Sequence, residues 1–374
     1  GFNMALTVSA TDTEVPKPVN VAFEQTLLRN ARPLAVYYMG SQPGALREHG
    51  GTATIGWRRF NTSADNASAI APTTTALSEI TGNAAYGMGR TPDVVHRTDT
   101  SATVAKYGQF FYVNEEVDVF NFNHTMDGIV QTLAISAGRS LNYLHRNEVE
   151  DNATLRYVNN EASDGLVEDV VGVGDLDRII NELASNYTMT FNPMRSGSTS
   201  IGTVPILPSL WGFCHTHVAY DLSRLSGFVS VEKYAGQVEV VPGEVGYYGL
   251  AGVGVRFIST PEASIDVGAG QTASGDVRTT SSAADLYTIV IKGMNADGSV
   301  GLGMQMPDGR YVTGENNPSP IKLIVKGRNT STPSGIDDPF DEMMSVAWKA
   351  WAADKVLNTN WIRGLRTAAT NLSN

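Results

Sequence analysis

The longest periodic signal in the chain runs from about Thr125 to Leu155, where Met126, Ile129, Val130, Leu133, Ala137, Leu141 and Leu144 recur three and four residues apart. Residues at that spacing share one face of a 3.6-residue spiral, so the segment predicts a long amphipathic helix. Asp127 suits the positive end of its dipole, and Glu148, Glu150 and Asp151 keep the distal half in water. A second helix is predicted from Asp175 to Tyr187 on Leu176, Ile179, Ile180, Leu183 and Tyr187, with Asp175 as its cap. The run from Tyr220 to Leu225 also reads as helical. Upstream, Phe23, Leu27, Leu28, Ala31, Leu34, Ala35 and Tyr38 keep helical spacing, interrupted by Pro33, behind an extended arm of roughly 17 residues. Such an arm has no core of its own and must lie on something else.

Elsewhere the period is two. Ile55, Trp57 and Arg59 alternate with Thr54, Gly56 and Arg58 up to Phe60, and Val104, Tyr107, Phe111, Val113, Val117 and Val119 mark two or three further β segments. Between these lie about forty residues rich in Ala, Thr, Asn and Gly, too long for a hairpin turn, which predicts a two-stranded projecting loop. Val238 to Val241 and Gly252 to Ile258 read as strands, Val204 to Phe213 as an apolar run, and residues 292–320 as a string of turns around Asp297-Gly298 and Asp308-Gly309. Near the end, Met344, Trp348, Trp351 and Lys355 fit a helix while Val346, Trp348, Ala350 and Ala352 alternate as in a strand, and the pattern leaves both open.

Length and charge narrow the classes. At 374 residues the chain can bury a large core and is expected to form two lobes. Its formal net charge of −11 argues against a basic nucleic-acid-reading surface, without excluding a container for DNA, whose inner wall would do better to repel than to grip. The 37 glycines, with abundant Thr, Ser and Asn, favour turns and extended segments over a bundle. Cys214 is alone and sits beside an apolar run, which predicts a buried, inert thiol. Neither a membrane-spanning run nor a signal-peptide pattern is present, so a soluble, cytoplasmically made protein is expected.

Catalytic grammar is sparse. His215 and His217, with Asp221 nearby, are the one group at metal-like proximity, and structural histidines are the expected reading. The glycine clusters lack the Lys-Ser/Thr of a phosphate loop and the dinucleotide spacing, no Gly-x-Ser-x-Gly elbow occurs, and the pairs Glu115-Glu116 and Asp337-Asp338 are adjacent rather than opposed. No enzymatic activity, cofactor or metal is expected.

Two blocks carry a resemblance. The run from Ser345 to Asn358 (SVAWKAWAADKVLN) with Thr359 to Arg366 (TNWIRGLR), and the ordered series Phe213 to Leu222 (FCHTHVAYDL), Val231 to Ala235 (VEKYA) and Gly252 to Thr260 (GVGVRFIST), resemble major capsid proteins of tailed double-stranded DNA bacteriophages, the family with the HK97-like shell fold. The resemblance implies an α+β fold: an N-terminal arm (1–45), an extended β loop with its flanking strands (46–120), a peripheral domain whose first part (121–194) holds a spine helix, an axial domain (195–335), and a returning peripheral part (336–374) that makes the terminal block strands. Where the family usually has a proline after the residue matching His215, this chain has Thr216, so that turn is expected to differ.

The residues that the resemblance marks for fold and assembly are Trp57, Phe60, Tyr107, Leu133, Leu141, His215, Tyr220, Asp221, Leu222, Tyr234, Phe257, Trp348, Lys349 and Trp361. The implied function is self-assembly into an icosahedral shell around a double-stranded DNA genome. The implied partners are further copies arranged as pentamers and hexamers, a portal protein, and a decoration or scaffolding protein, with packaged DNA near the inner wall and no membrane. The implied location is the virion, assembled in the host bacterial cytoplasm. Some relatives weld subunits through a loop lysine, but no lysine occurs between Arg59 and Lys106, which predicts non-covalent stabilisation. Competing readings are the shell of a cellular nanocompartment and a secreted carbohydrate-binding β-protein.

Overall fold

The computed structural model describes residues 36–44, 54–60, 97–115, 125–191, 197, 202, 204–234, 243–250, 252–272, 276–300, 321–326, 340 and 342–372. The predicted arm and most of its helix, residues 61–96 of the loop, Val117, Val119, the strand expected at Val238 to Val241 and most of the turn-rich 292–320 segment lie outside these. In chain order the elements are β1 (Gln42–Pro43), β2 (Thr54–Phe60), β3 (Arg97–Thr103), β4 (Ala105–Asn114), α1 (Thr125–Asp151), β5 (Thr154–Tyr157), α2 (Val173–Ser185), β6 (Ser209–Cys214), α3 (Thr216–Ser223), β7 (Val229–Ser230), α4 (Val231–Tyr234), β8 (Glu244–Leu250) and β9 (Val253–Ser259). They continue with β10 (Ile265–Asp266), β11 (Leu286–Lys292), β12 (Asp297–Val300), β13 (Ile321–Lys326), β14 (Met343–Val356) and β15 (Ile362–Thr367). The chain divides into two compact units, one of them Gly56–Ser101 and the other the rest. In the smaller unit β2 pairs with β3, and Arg58 meets Asp99 at 2.8 Å across the ribbon.

In the larger unit, β14 is the axis of a five-stranded sheet: β4 runs antiparallel along its first ten residues, β13 along the middle, and β12, followed by β1, along its end. Alternation decides which side is buried. Met344, Val346, Trp348, Ala350 and Ala352 of β14 face Val113 of β4, Leu323 of β13 and the stripe Val130, Leu133, Ala134, Ala137 and Leu141 of α1, forming one core. The ambiguity of the closing block is thereby settled as a strand of 14 residues.

The second sheet has eight strands in the order β5-β15-β11-β6-β9-β8-β7, with β10 beside β11. It is mixed, since β5 runs parallel to β15 and β6 parallel to β9. Every residue of β11 is buried, as a strand covered on both faces requires. Its Ile289 and Ile291 face α2 and α3 through Leu176, Ile179, Ile180, Leu183, Val218 and Leu222, whereas Val290 faces a separate core with Val36, Tyr37, Val149 and Phe213.

Several boundaries differ from expectation. Helix α1 ends at Asp151, and Leu155, expected at its far end, lies in β5. Helix α2 begins at Val173 behind an N-cap at Gly172, so Asp175 is not the cap but the third helical residue, its carboxylate accepting the Gly172 N–H at 3.1 Å. Its far end is Ser185, and Tyr187 lies beyond in the left-handed region, 90% exposed rather than on the apolar stripe. Helix α3 starts at Thr216, four residues before the expected Tyr220.

Candidate functional site

Where α1 meets both sheets and the segment 36–44, four ionisable side chains come together, His145, Lys292 and Asp297 sealed from solvent and Asp354 at the edge of the group. The Lys292 Nζ lies 3.0 Å from Asp297 Oδ2, donates to the Tyr37 carbonyl at 2.9 Å, and sits 5.2 Å over the Phe213 ring. The His145 Nε2 is 2.7 Å from that Asp297 oxygen, and its Nδ1 is 3.0 Å from Asp354 Oδ1. Ser41 donates to Asp297, Tyr38 donates to Asp354 at 3.2 Å, and the Tyr38 ring stacks on His145 at 4.5 Å. Beside them the buried Asn142 accepts the Tyr37 N–H at 3.0 Å.

The arrangement is electrically balanced. Burial disfavours the imidazolium of His145, yet bonds to Asp297 and Asp354 outweigh that and raise its pKa. Burial would also push Asp297 up, but Lys292 and His145 overrule it and hold the carboxyl far below the ordinary carboxylate range. Lys292 is pulled below its usual value by burial, with Asp297 opposing. The paired form is two cations against two carboxylates, a buried network that is costly to disrupt and that fixes one geometry. Chemically it is a fastening: it ties Tyr37 to Ser41 onto α1, β11, β12 and β14.

A second buried pair supports the eight-stranded sheet. The Arg256 guanidinium holds the Glu244 carboxylate through two bonds of 2.6 Å, and the Tyr234 hydroxyl donates to the same carboxylate. At the near end of α3, His215 Nδ1 accepts the His217 N–H at 3.1 Å as the helix cap, and His217 Nδ1 lies 2.9 Å from the Tyr287 hydroxyl. Burial, with His217 and Arg278 nearby, lowers His215 to about 4. Asp221 is turned away from the rings and accepts from the Thr370 N–H at 3.0 Å and its hydroxyl at 2.5 Å. Among the described residues no group of three candidate ligands could hold a metal ion.

The residues marked by the sequence do not converge on one site. Leu133, Leu141 and Trp348 are buried in the core under the five-stranded sheet, with Tyr107 packed against it. Leu222 and Phe257 belong to the larger core, and Tyr234 to a small cluster with Ile206 and Tyr247. Tyr220 carries Arg224 over its ring at 4.3 Å, and Trp361 donates from Nε1 to the Asn186 carbonyl at 3.1 Å. Trp57 is buried, while Phe60 on the same strand is 67% exposed. Lys349 lies on the side of β14 opposite to α1. Sequence reasoning missed the cluster of Lys292, Asp297, His145 and Asp354. Its one visible signal was a lysine closing an otherwise apolar strand (LYTIVIK), followed within five residues by an aspartate assigned to a turn.

No family model matches the chain, and no curated protein does. Solved structures do. The chain is similar to the capsid asymmetric unit of cyanophage Pam1 (12% identity, 90% of this chain and 92% of that one, TM-score 0.54). It is also similar to the capsid of cyanophage P-SCSP1u (9% identity, 88% and 87%, TM-score 0.50) and to the head of Helicobacter pylori bacteriophage KHP40 (10% identity, 88% and 87%, TM-score 0.50). The likeness is one of fold: the chain has the α+β HK97-like architecture of tailed-phage shell proteins.

Proposed function

We propose that this chain is the repeating subunit of an icosahedral shell that encloses double-stranded DNA, assembled as pentamers and hexamers into the head of a tailed phage. The observation that carries the reading is a shell-protein fold matched over about nine-tenths of the chain. Two features agree with it. Gly56–Ser101, where β2 pairs with β3, forms a compact unit of its own, as a loop meant for a neighbour would. The segment 36–44, which follows the proposed arm, is anchored by a buried ionic network, as an element under load should be.

On this reading the peripheral domain (121–194 and 336–374) and the axial one (195–335) exchange strands, β12 and β13 joining the sheet of β14 while β5 and β15 join the eight-stranded one, and the marked residues from Trp57 to Trp361 act in folding and assembly. A portal at one vertex and a decoration or scaffolding protein complete the particle, which is built in the bacterial cytoplasm. The chemistry is mechanical: many modest contacts, closed by symmetry, resist the pressure of packaged DNA. Sedimentation of the native material with nuclease protection tests it. A megadalton species holding nuclease-resistant DNA is expected, and a megadalton species holding enzymes instead would move the reading to a nanocompartment.

A further inference from the structure

One side of the five-stranded sheet is occupied by α1, and the other presents a different chemistry. The register places Lys106, Gly108, Phe110 and Tyr112 of β4 opposite Trp351, Lys349, Ala347 and Ser345 of β14, with Ile324 and Lys326 of β13 on the far flank. Phe110 is 58% and Tyr112 65% exposed, their rings edge to face at 5.2 Å, and Met343 at the strand end is also exposed. Lys106 lies over the Trp351 ring at 4.9 Å. Lys106 and Lys326 are exposed and Lys349 half-buried, and among the described residues no ion pair engages them. An apolar centre flanked by unpaired cations is the anatomy of an interface, with anchors in the middle and charge at the rim. It stands out in a chain that holds only eight lysines and carries a net charge of −11.

The complementary surface is on the same chain. Residues 148–182, from the end of α1 into α2, hold ten carboxylates, of which Glu148, Glu150, Asp164, Asp175 and Glu182 are paired with Lys355, Arg146, Arg366, Arg178 and the two arginines Arg156 and Arg363. Asp151, Glu161, Glu168, Asp169 and Asp177 have no cation partner among the described residues, the nearest contacts to Asp169 and Asp177 being the Asn159 amide and the Tyr248 hydroxyl. Among the described residues no ion pair joins Lys106, Lys326 or Lys349 to that region within one copy. A basic patch and an acidic patch at different places on one subunit satisfy each other only between copies. A contact of that kind is head to tail, the kind that makes a ring where its rotation closes.

We propose that the open face of the five-stranded sheet docks the acidic 148–182 region of a second copy, with Phe110 and Tyr112 as the apolar anchors and Lys106, Lys326 and Lys349 setting the register. The contact rests on the shell reading and specifies one of its subunit interfaces. It is steered and screened by charge, so it weakens with salt.

The test uses particles assembled from an equal mixture of unlabelled and heavy-nitrogen-labelled chains. A water-soluble carbodiimide activates a carboxylate, and a lysine Nζ within contact displaces it, forming an amide as the carbodiimide is hydrated to a urea. Mixed-isotope peptides then report pairs between copies. Lys106, Lys326 or Lys349 joined to a carboxylate of 148–182 is the expected result. The same lysines joined to carboxylates elsewhere or to another polypeptide, or left unjoined while other pairs form, as nucleic acid on this face would leave them, overturns the contact and leaves the shell standing. A charge swap supplies the second reading. Lys326→Glu with Lys349→Glu should raise the critical assembly concentration at least about tenfold, and adding Glu168→Lys with Asp169→Lys should recover most of it. Loss without recovery counts against the contact, and a wild-type chain that never forms particles removes the shell reading and the contact together.

Discussion

Replacing Lys292 with Met keeps most of the side-chain volume and removes one charge from the sealed cluster. Lys292 and Asp297 have no side-chain exposure and lie 3.0 Å apart, so the change leaves the sealed Asp297 and its neighbour Asp354 to share one cation, His145, where water cannot make up the difference. The ion pair's net worth against an apolar substitute is small, but breaking it from one side costs about 3–5 kcal/mol. The Tyr37 carbonyl loses its 2.9 Å donor as well, which keeps the figure at the upper end. Against the roughly 5–15 kcal/mol that holds a domain together, that is a third or more of the total. With an m value of about 3 kcal/mol per molar in urea, the unfolding midpoint of dissociated subunits should fall by roughly 1 M or more. Tryptophan fluorescence reads the transition, and hydrogen exchange should show residues 36–44 opening first. Asp297→Asn should cost a similar amount, and the double variant clearly less than the two singles added, because they act on one interaction. A Lys292→Met midpoint within about 0.3 M of wild type, or singles that add without coupling, would refute the reasoning.

Three further outcomes follow from the structure. His145 has a folded-state pKa raised above the ordinary 6.5, so it binds its proton more tightly folded than unfolded; its contribution is complete below 6.5 and is lost as pH rises through the raised value. Asp297, depressed from 3.8, contributes above that value and loses it as pH falls further. Midpoints measured against pH should therefore decline as pH rises above about 6.5, and His145→Gln should remove that step while leaving the later fall that buried Tyr37 and Tyr38 cause above about 10. Gly212→Ala in β6 would put a methyl 2.8 Å from the Phe257 ring and 2.9 Å from Val255 in the middle of the eight-stranded sheet, a cost of about 1–3 kcal/mol visible as a lower thermal midpoint. Intact-mass spectra of denatured particles should show the single chain, since the loop offers no lysine for a weld; a ladder of multiples would contradict this.

What the sequence revealed, and what it hid, follows from periodicity. Helix α1 was legible because it is half-covered: its stripe from Val130 to Leu141 packs on β14 while its other side meets solvent. Strand β4 was legible for the same reason, its Val113, Phe111 and Tyr107 turning to the core in alternation. Strand β11 was not, because a strand buried on both faces has no alternation to read, and Leu286 to Lys292 is an unbroken run. The closing block was ambiguous because Trp348 satisfies both periods, and only the core beneath it, with Val346 and Ala350 beside it, decides for a strand. Asp175 was placed at the helix start but in the wrong role, since Gly172 has no side chain to announce a cap. The ionic cluster was invisible because its members are up to 209 residues apart, as His145 and Asp354 are, and no local rule pairs them.

The most direct test of the account is cryo-electron microscopy of native particles purified on a gradient. It predicts icosahedral shells in which this chain is the repeating unit, with the Gly56–Ser101 unit lying on a neighbouring copy. A stable monomer or small oligomer, under conditions that preserve native assemblies, would contradict it.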